Sequence, residues 1–103
     1  MRRGSKAESR VAKRYVKGGY KVKKHYIIKH GEIDILAKRG KETLAIEVKS
    51  GKPVITSTII RKLVQKARSL KAKPVLALTS NKFKITSKAR KEIKKYKVRI
   101  KRL

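Results

Sequence analysis

Apolar and polar residues follow two different periods along this chain. Several segments have the three- and four-residue spacing of an amphipathic helix, which predicts helices over residues 5–17, 57–71 and 87–94. Gly18 and Gly19 are placed to end the first helix, and Thr86 or Ser87 to cap the last. The stripe of the first helix that should pack against the rest of the protein includes a carboxylate: Glu8, Val11, Ala12 and Tyr15.

Other segments are rich in β-branched and aromatic residues or alternate with period two, which predicts strands over residues 20–29, 33–38, 43–49, 74–78 and 97–100. Gly40 and Lys41 separate the second and third strands, with glycine where a type II′ turn needs it, so these strands are expected to form a hairpin. The continuous apolar run at 74–78 follows this hairpin through one helix, which predicts a right-handed parallel crossover. We therefore expect one α/β domain over residues 1–103, a mixed sheet flanked by helices in the order α-β-β-β-α-β-α-β.

The predicted hairpin brings two carboxylates together. If the chain turns at residues 40 and 41, the register outward from the turn pairs Arg39 with Glu42, Ala37 with Leu44, Ile35 with Ile46 and Ile33 with Val48. The last three pairs would form one apolar face. Because side chains on one face of a strand recur at every second residue, Asp34 then lies opposite Glu47 on the other face, with Lys49 two residues further on.

Two like charges in direct opposition destabilise a sheet unless a cation compensates them. Mg²⁺, or Mn²⁺ in its place, suits this pair best, since such hard ions take oxygen ligands and keep several waters. Lys49 could instead neutralise the pair in an ordinary cross-strand salt bridge. Glu8 is a candidate for the same metal site, although a glutamate in the first turn of a helix is also favourable to the helix dipole.

Charge composition points to a polyanionic partner. The chain has 33 lysine and arginine residues against six acidic ones, a formal net charge of +27. A folded chain with this charge repels itself unless a polyanion neutralises it, so we expect nucleic acid to bind. A ribosomal, chromatin-like or otherwise non-catalytic basic protein would have the same composition. Cysteine is absent, and neither a signal-peptide pattern nor a membrane-length apolar run is evident, so we expect a cytoplasmic, nucleoid-associated protein.

The spacing of the acidic residues resembles a known motif. Asp34 is followed after twelve residues by Glu47-Val48-Lys49, which resembles the active site of the PD-(D/E)xK nuclease superfamily. Together with the segment at residues 3–8 and the helix that follows, this pattern is similar to archaeal Holliday junction resolvases over roughly residues 3–80. The segment at residues 31–34 also resembles a bacterial family of uncharacterised nuclease-like proteins. The resemblance implies a restriction endonuclease-like three-layer fold.

The same resemblance implies Mg²⁺-dependent hydrolysis of phosphodiester bonds in DNA. Glu8, Asp34 and Glu47 would bind the metal together with the main-chain carbonyl of Val48. Lys49 would orient the attacking water or help to deprotonate it. The basic residues that flank the predicted site are expected to contact DNA phosphates: Arg2, Arg3, Lys6, Arg10, Lys29, Lys52 and Arg61.

Three functions remain open: a structure-selective endonuclease at branched DNA, a less selective repair or defence nuclease, and a non-catalytic nucleic-acid-binding protein. A resolvase should be a twofold homodimer, since it cuts two strands symmetrically. The apolar patch expected to form the dimer contains Ile85, Tyr96, Val98 and Ile100. We expect His25 and His30 at the surface or in contact with DNA, and Glu32 and Glu42 as ordinary exposed charges.

Overall fold

The computed structural model describes residues 5–29 and 31–103. It has three helices: α1 (Ser5–Lys17), α2 (Ser57–Ser69) and α3 (Ser87–Lys95). The strands are β1 (Lys21–Ile28), β2 (Gly31–Arg39), β3 (Glu42–Lys49), β4 (Val54–Ile55), β5 (Lys73–Leu78), β6 (Lys84–Ile85) and β7 (Arg99–Arg102). None of the helices in the described part of the chain is long and apolar enough to cross a membrane.

Five strands form a mixed central sheet in the order β1-β2-β3-β5-β7. The pairs β1–β2 and β2–β3 are antiparallel, whereas β3, β5 and β7 are parallel to one another. The carboxyl ends of the three parallel strands therefore lie at one edge, where Lys49 is level with Leu78 and Leu78 with Arg102. Beyond this edge, β4 and β6 pair in a separate two-stranded parallel sheet.

Helices cover both faces of the central sheet. On one face Val11, Ala12 and Tyr15 of α1 pack against alternate residues of the central strands, including Ile46 and Val75. On the other face α2 and α3 pack against the intervening residues of β5: Ile60, Leu63, Val64 and Ala89 contact Leu76 and Leu78. Burial of these apolar side chains on both faces explains why the middle strands read as nearly continuous apolar runs. The result is the predicted α/β architecture with helix, sheet and helix layers.

Most predicted elements agree with the structure to within a few residues. The hairpin register is confirmed from Arg39–Glu42 to Ile35–Ile46, and Gly40 has the positive φ (+59°) that a II′ turn needs first. Thr86 caps α3, where its hydroxyl accepts the N–H of Ala89 at 3.1 Å. The short strands β4 and β6 were not predicted.

The last strand begins later than the sequence suggested. Lys97 has a left-handed φ of +55°, and Val98 donates its N–H to the carbonyl of Ile93, so this segment closes the turn after α3 and β7 starts at Arg99. Val98 is buried in the core, and the other three residues of the predicted dimer patch pack partly against the same cluster: Ile85, Tyr96 and Ile100. Most of that apolar surface is therefore buried against other residues of the same chain.

The apolar face predicted for β2 is interrupted at one position. Ile35 and Ala37 pack on the α1 side of the sheet, but Ile33 packs with Ala45 and Ala67 on the α2 side. The prediction that Ile33 shares a face with Ile35 is therefore wrong. The neighbouring strand changes in the same way, because Val22 packs on the α1 side and Tyr26 on the α2 side. Between Val22 and Tyr26, His25 has a left-handed φ of +53°, which breaks the regular alternation of β1.

Candidate active site

The candidate site forms where the pairing of β2 and β3 stops. The ladder ends at Ile35 opposite Ile46, so the predicted Ile33–Val48 pair is not part of it. Instead, the Val48 N–H donates to the Oδ2 carboxylate oxygen of Asp34 at 2.9 Å. This hydrogen bond fixes the Asp34 side chain beside the end of β3, which is the position of the predicted Glu-x-Lys sequence.

Glu47 lies next to Asp34 in a shielded position. The predicted Asp34–Glu47 pair is not part of the ladder, but the two carboxylates lie close enough for the charge of Asp34 to act on Glu47. Burial of the Glu47 carboxyl raises its pKa, and the charge of Asp34 raises it further. Lys49 opposes this shift, since its Nζ lies 3.6 Å from Oε2 of Glu47. The three residues therefore form one interacting group.

A second lysine reaches this group from α2 and was not found by sequence reasoning. Lys66 lowers the pKa of Glu47 by its charge, and its Nζ donates to the main-chain carbonyl of Glu32 at 2.9 Å. It passes Gly31 closely, because a β-carbon on that glycine would lie 3.4 Å from Cε of Lys66. In the sequence Lys66 is one of several lysines on the polar side of a predicted helix, so no local pattern distinguishes it.

His25 connects two further carboxylates. Its Nε2 lies 2.9 Å from Oε2 of Glu8, and its Nδ1 lies 2.7 Å from Oε1 of Glu32. The Glu8 side chain, with 12% of its surface exposed, is on the inner side of α1 as predicted. Glu32 is therefore not the isolated exposed charge that the sequence suggested, and His25 is a half-buried link between α1, β1 and β2. The prediction that Glu8 binds a metal remains a prediction.

The carboxylates suit a hard divalent cation with few protein ligands. No group of three or more His, Asp or Glu side chains converges on a metal position among residues 5–29 and 31–103. Asp34 and Glu47 do lie together, and burial followed by the charge of Asp34 raises the pKa of Glu47 despite the two nearby lysines. Mg²⁺ needs one or two carboxylates and completes its shell with water and substrate oxygens, so this pair fits it.

Five of the seven basic residues predicted to contact DNA lie in the described part of the chain, and their contact with DNA stays a prediction. Lys6, Arg10, Lys29 and Lys52 are exposed. Arg61 has a partner within the chain, since its Nε lies 3.7 Å from Oε2 of Glu92 on α3. The remaining predicted DNA contacts, Arg2 and Arg3, lie outside the described residues, and so does His30.

Comparison with known proteins identifies the family. The model of the family described as "Restriction endonuclease" (Mrr_cat) matches residues 3–102. A UPF0102 protein of Thermotoga petrophila is 37% identical over 79 residues, which cover 76% of this chain and 72% of that protein. Across the UPF0102 relatives, the alignments span from 35% to 72% of the relative's length.

Solved structures share the fold at low sequence identity. A repair endonuclease from Pyrococcus abyssi superposes with a TM-score of 0.71 at 18% identity, over the whole of this chain and 48% of its own. Hjc, a Holliday junction resolvase from Archaeoglobus fulgidus, gives a TM-score of 0.59 at 24% identity, over 82% of this chain and 66% of its own. This chain thus spans about half of the first structure's length, and the likeness to both shows a restriction endonuclease-like fold. The matched relatives are bacterial, so a specific kinship with archaeal resolvases is not established. The chain belongs to the restriction endonuclease family and has the UPF0102 proteins among its relatives.

Proposed function

We propose that this protein is a Mg²⁺-dependent DNA endonuclease that prefers branched DNA and acts on the nucleoid. The observation that supports this function best is the convergence of Asp34, Glu47 and Lys49 at the end of the β2–β3 ladder, in a chain of the restriction endonuclease family. An isolated surface salt bridge would not need a carboxylate with a raised pKa beside a second carboxylate.

Each residue of the group has a distinct task in phosphodiester hydrolysis. Asp34 and Glu47, with the main-chain carbonyl of Val48, would hold Mg²⁺ or Mn²⁺, and Glu8 would join them if its contact with His25 is exchanged. The bound ion would lower the pKa of a water and offset charge on the phosphate. Lys49 would orient that water or stabilise the developing negative charge, because its ammonium group is adjacent to Glu47 and still one-third exposed.

The Val48 N–H keeps the site ordered before substrate arrives. It donates to Asp34, so one carboxylate oxygen is fixed while the other is available for a ligand. Lys66 supports the same geometry from the other side, because it holds the main chain at Glu32 and places a positive charge near Glu47. Ordered ligands reduce the reorganisation needed in the reaction.

Branch selectivity and a homodimer are the finer parts of the proposal. Two cuts placed symmetrically in a junction require two sites related by a twofold axis. A less selective repair or defence nuclease would use the same residues on plain duplex, so substrate preference separates the two functions. Sedimentation at micromolar concentration would test the dimer directly, and a monomer would count against symmetric junction cutting.

The decisive experiment compares cleavage of a labelled four-way junction with the matched duplex and single strand, in Mg²⁺, Mn²⁺ or EDTA. We would test wild type, Asp34→Ala and the matched control Glu42→Gln, which removes a carboxylate from the opposite end of β3. Paired nicks confined to the junction, lost in EDTA and in Asp34→Ala but kept in Glu42→Gln, are expected. Cutting of all substrates would show a general nuclease, and binding without cutting would refute catalysis.

A further inference from the structure

A patch of apolar and basic residues lies at the same edge of the molecule as the candidate active site. We name it the β4–β6 patch, and it encloses a pocket of about 400 Å³ lined by Lys52, Pro53, Val54, Lys82, Phe83 and Lys84. Phe83 is the single phenylalanine of the sequence. Val54 is 53% exposed, which makes it one of the large hydrophobic side chains with a free surface in the described part of the chain.

The patch is rigidly attached to the catalytic end of the sheet. Lys84 donates its N–H to the carbonyl of Pro53 at 3.0 Å, and Thr86 to that of Ile55 at 3.1 Å, so β4 and β6 form one unit. Thr79, which leads into this unit, donates its N–H to the carbonyl of Lys49 at 3.1 Å. The β4–β6 patch therefore begins directly after the residue proposed to act on the water.

The sheet register places the patch near the candidate active site. Lys49 is level with Leu78 and Leu78 with Arg102, and neighbouring strands are about 4.8 Å apart, so Arg102 lies about 10 Å from Lys49 along the sheet edge. The guanidinium carbon of Arg102 lies 5.3 Å from the centre of the Phe83 ring. Phosphates of one DNA strand are about 3.4 Å apart along the helix axis, so the patch and the candidate site are within reach of a few nucleotides of the same strand.

The chemistry of the patch matches an unstacked nucleotide. A base presents a flat apolar face, which an aromatic ring with an aliphatic neighbour can cover, while its phosphates need cations. Phe83 and Val54 supply the apolar surface, and Lys52, Lys82 and Lys84 supply positive charge around it. A second copy of this chain does not match the patch, because three lysines surround it and the copy offers only six acidic side chains against 33 basic ones.

We propose that the β4–β6 patch binds an unpaired nucleotide of the DNA substrate, a few positions from the phosphate at the candidate active site. The base stacks on Phe83 and Val54, and the flanking phosphates contact the three lysines. This inference rests on the proposed function, which places the scissile phosphate near Asp34 and Glu47. It assigns a preference for DNA with unpaired bases, such as a flap or a frayed branch point, to a defined surface, because a continuous duplex does not expose the faces of its bases.

Binding measured in EDTA tests this proposal without cleavage. Fluorescence anisotropy would compare a duplex with the same duplex bearing an unpaired 2-aminopurine near a nick. We would test wild type, Phe83→Leu, Val54→Ser and the control Val16→Ser, which alters a similarly exposed valine on α1. We expect about tenfold tighter binding of the unpaired DNA by wild type. Phe83→Leu and Val54→Ser should remove most of this preference, and Val16→Ser should keep it.

A salt titration tests the lysines separately. Replacing Lys52, Lys82 and Lys84 by Gln should lower the slope of log K against log salt by about 2–3, since each lost phosphate contact contributes about 0.7–0.9. The control replaces three exposed lysines at the opposite end of the sheet: Lys17, Lys38 and Lys41. An equal fall in the control would overturn the proposal, because the effect would then come from net charge.

The outcomes separate this proposal from the function on which it rests. If wild type cleaves DNA but Phe83→Leu and Val54→Ser keep its full preference for unpaired DNA, the patch assignment is wrong and the nuclease function stands. If wild type binds none of the DNAs, the proposed function itself fails. Phe83 is partly packed against the core, so the folding of its variant is checked by thermal melting, and the exposed Val54 position provides an independent test. A shift to monomer in either variant would make the patch a protein interface and refute nucleotide binding.

Discussion

Replacing Asp34 in two ways separates the hydrogen bond that orders the site from the charge that destabilises it. In Asp34→Asn the side-chain amide oxygen can still accept the Val48 N–H, whereas in Asp34→Ala that N–H loses its acceptor. Both variants remove the negative charge that raises the pKa of Glu47. The difference in stability between the two variants therefore reports the hydrogen bond, and the difference between Asp34→Asn and wild type reports the repulsion.

The expected magnitude follows from the half-buried position of the bond. A buried donor left without a partner costs about 1–3 kcal/mol, and partial exposure of Val48 places this one at about 1–2 kcal/mol. For a domain of this size that difference is about 4–16 °C in Tm. Asp34→Asn should be at least as stable as wild type at neutral pH, because the repulsion with Glu47 is gone while the bond remains.

The assay is urea unfolding followed by far-UV circular dichroism, in EDTA so that no cation stabilises the native state. Cleavage measured in parallel should be lost in both variants, since neither keeps the carboxylate. Equal stability of Asp34→Ala and Asp34→Asn would show that the Val48 hydrogen bond does not order the site. A less stable Asp34→Asn than wild type would contradict the argument that the carboxylate pair is repulsive.

Other substitutions have equally definite expectations. Glu47→Gln should be more stable than wild type at pH 7 in EDTA. Folding raises the pKa of Glu47, so its charged form destabilises the fold at pH values above that raised pKa. The difference in the free energy of unfolding between wild type and Glu47→Gln should therefore disappear as the pH falls to the ordinary value of 4.5. A difference that does not change with pH would show that the Glu47 charge is not its cause. The hydroxyl of Tyr20 donates to Glu42 and lowers the pKa of that carboxyl, so Tyr20→Phe should move the Glu42 transition in a carboxyl-carbon NMR titration to higher pH. Leu44→Ala, at a position with no exposed surface, should cost about 2–5 kcal/mol in urea unfolding, and a cost under 1 kcal/mol would mean that the core closes around the cavity.

The sequence predicted those parts of the fold that depend on local periodicity and on the turn. The register of the hairpin follows from Gly40 and from alternation, and it predicts that Asp34 lies near Glu47, whose pKa the Asp34 charge raises in the structure. The same reasoning was wrong for Ile33, because a left-handed residue in β1 reverses the alternation and single residues of this kind leave no periodic signal. The expectation of one domain over the whole chain remains a prediction.

The contacts that sequence reasoning missed join residues distant in the chain. Lys66 donates to the carbonyl of Glu32, which is 34 positions away in the sequence. His25 of β1 contacts Glu8, which belongs to α1. Neither residue stands out in its own segment, since lysines occur throughout the chain and the histidine has no metal-binding spacing around it. The β4–β6 pair was missed for a similar reason, because strands of two residues are too short to show a period.

The placement of the acidic residues argues for a site more strongly than any one contact. The sequence has six acidic residues among 33 basic ones, and dispersing them would relieve the most repulsion. Instead four of them form two pairs: the charge of Asp34 acts on Glu47, and His25 contacts both Glu8 and Glu32. Crowding of like charges in a half-buried place opposes folding, as the raised pKa of Glu47 indicates. Such an arrangement is typical of functional sites, and it is the reason for placing the proposed cation beside Asp34 and Glu47.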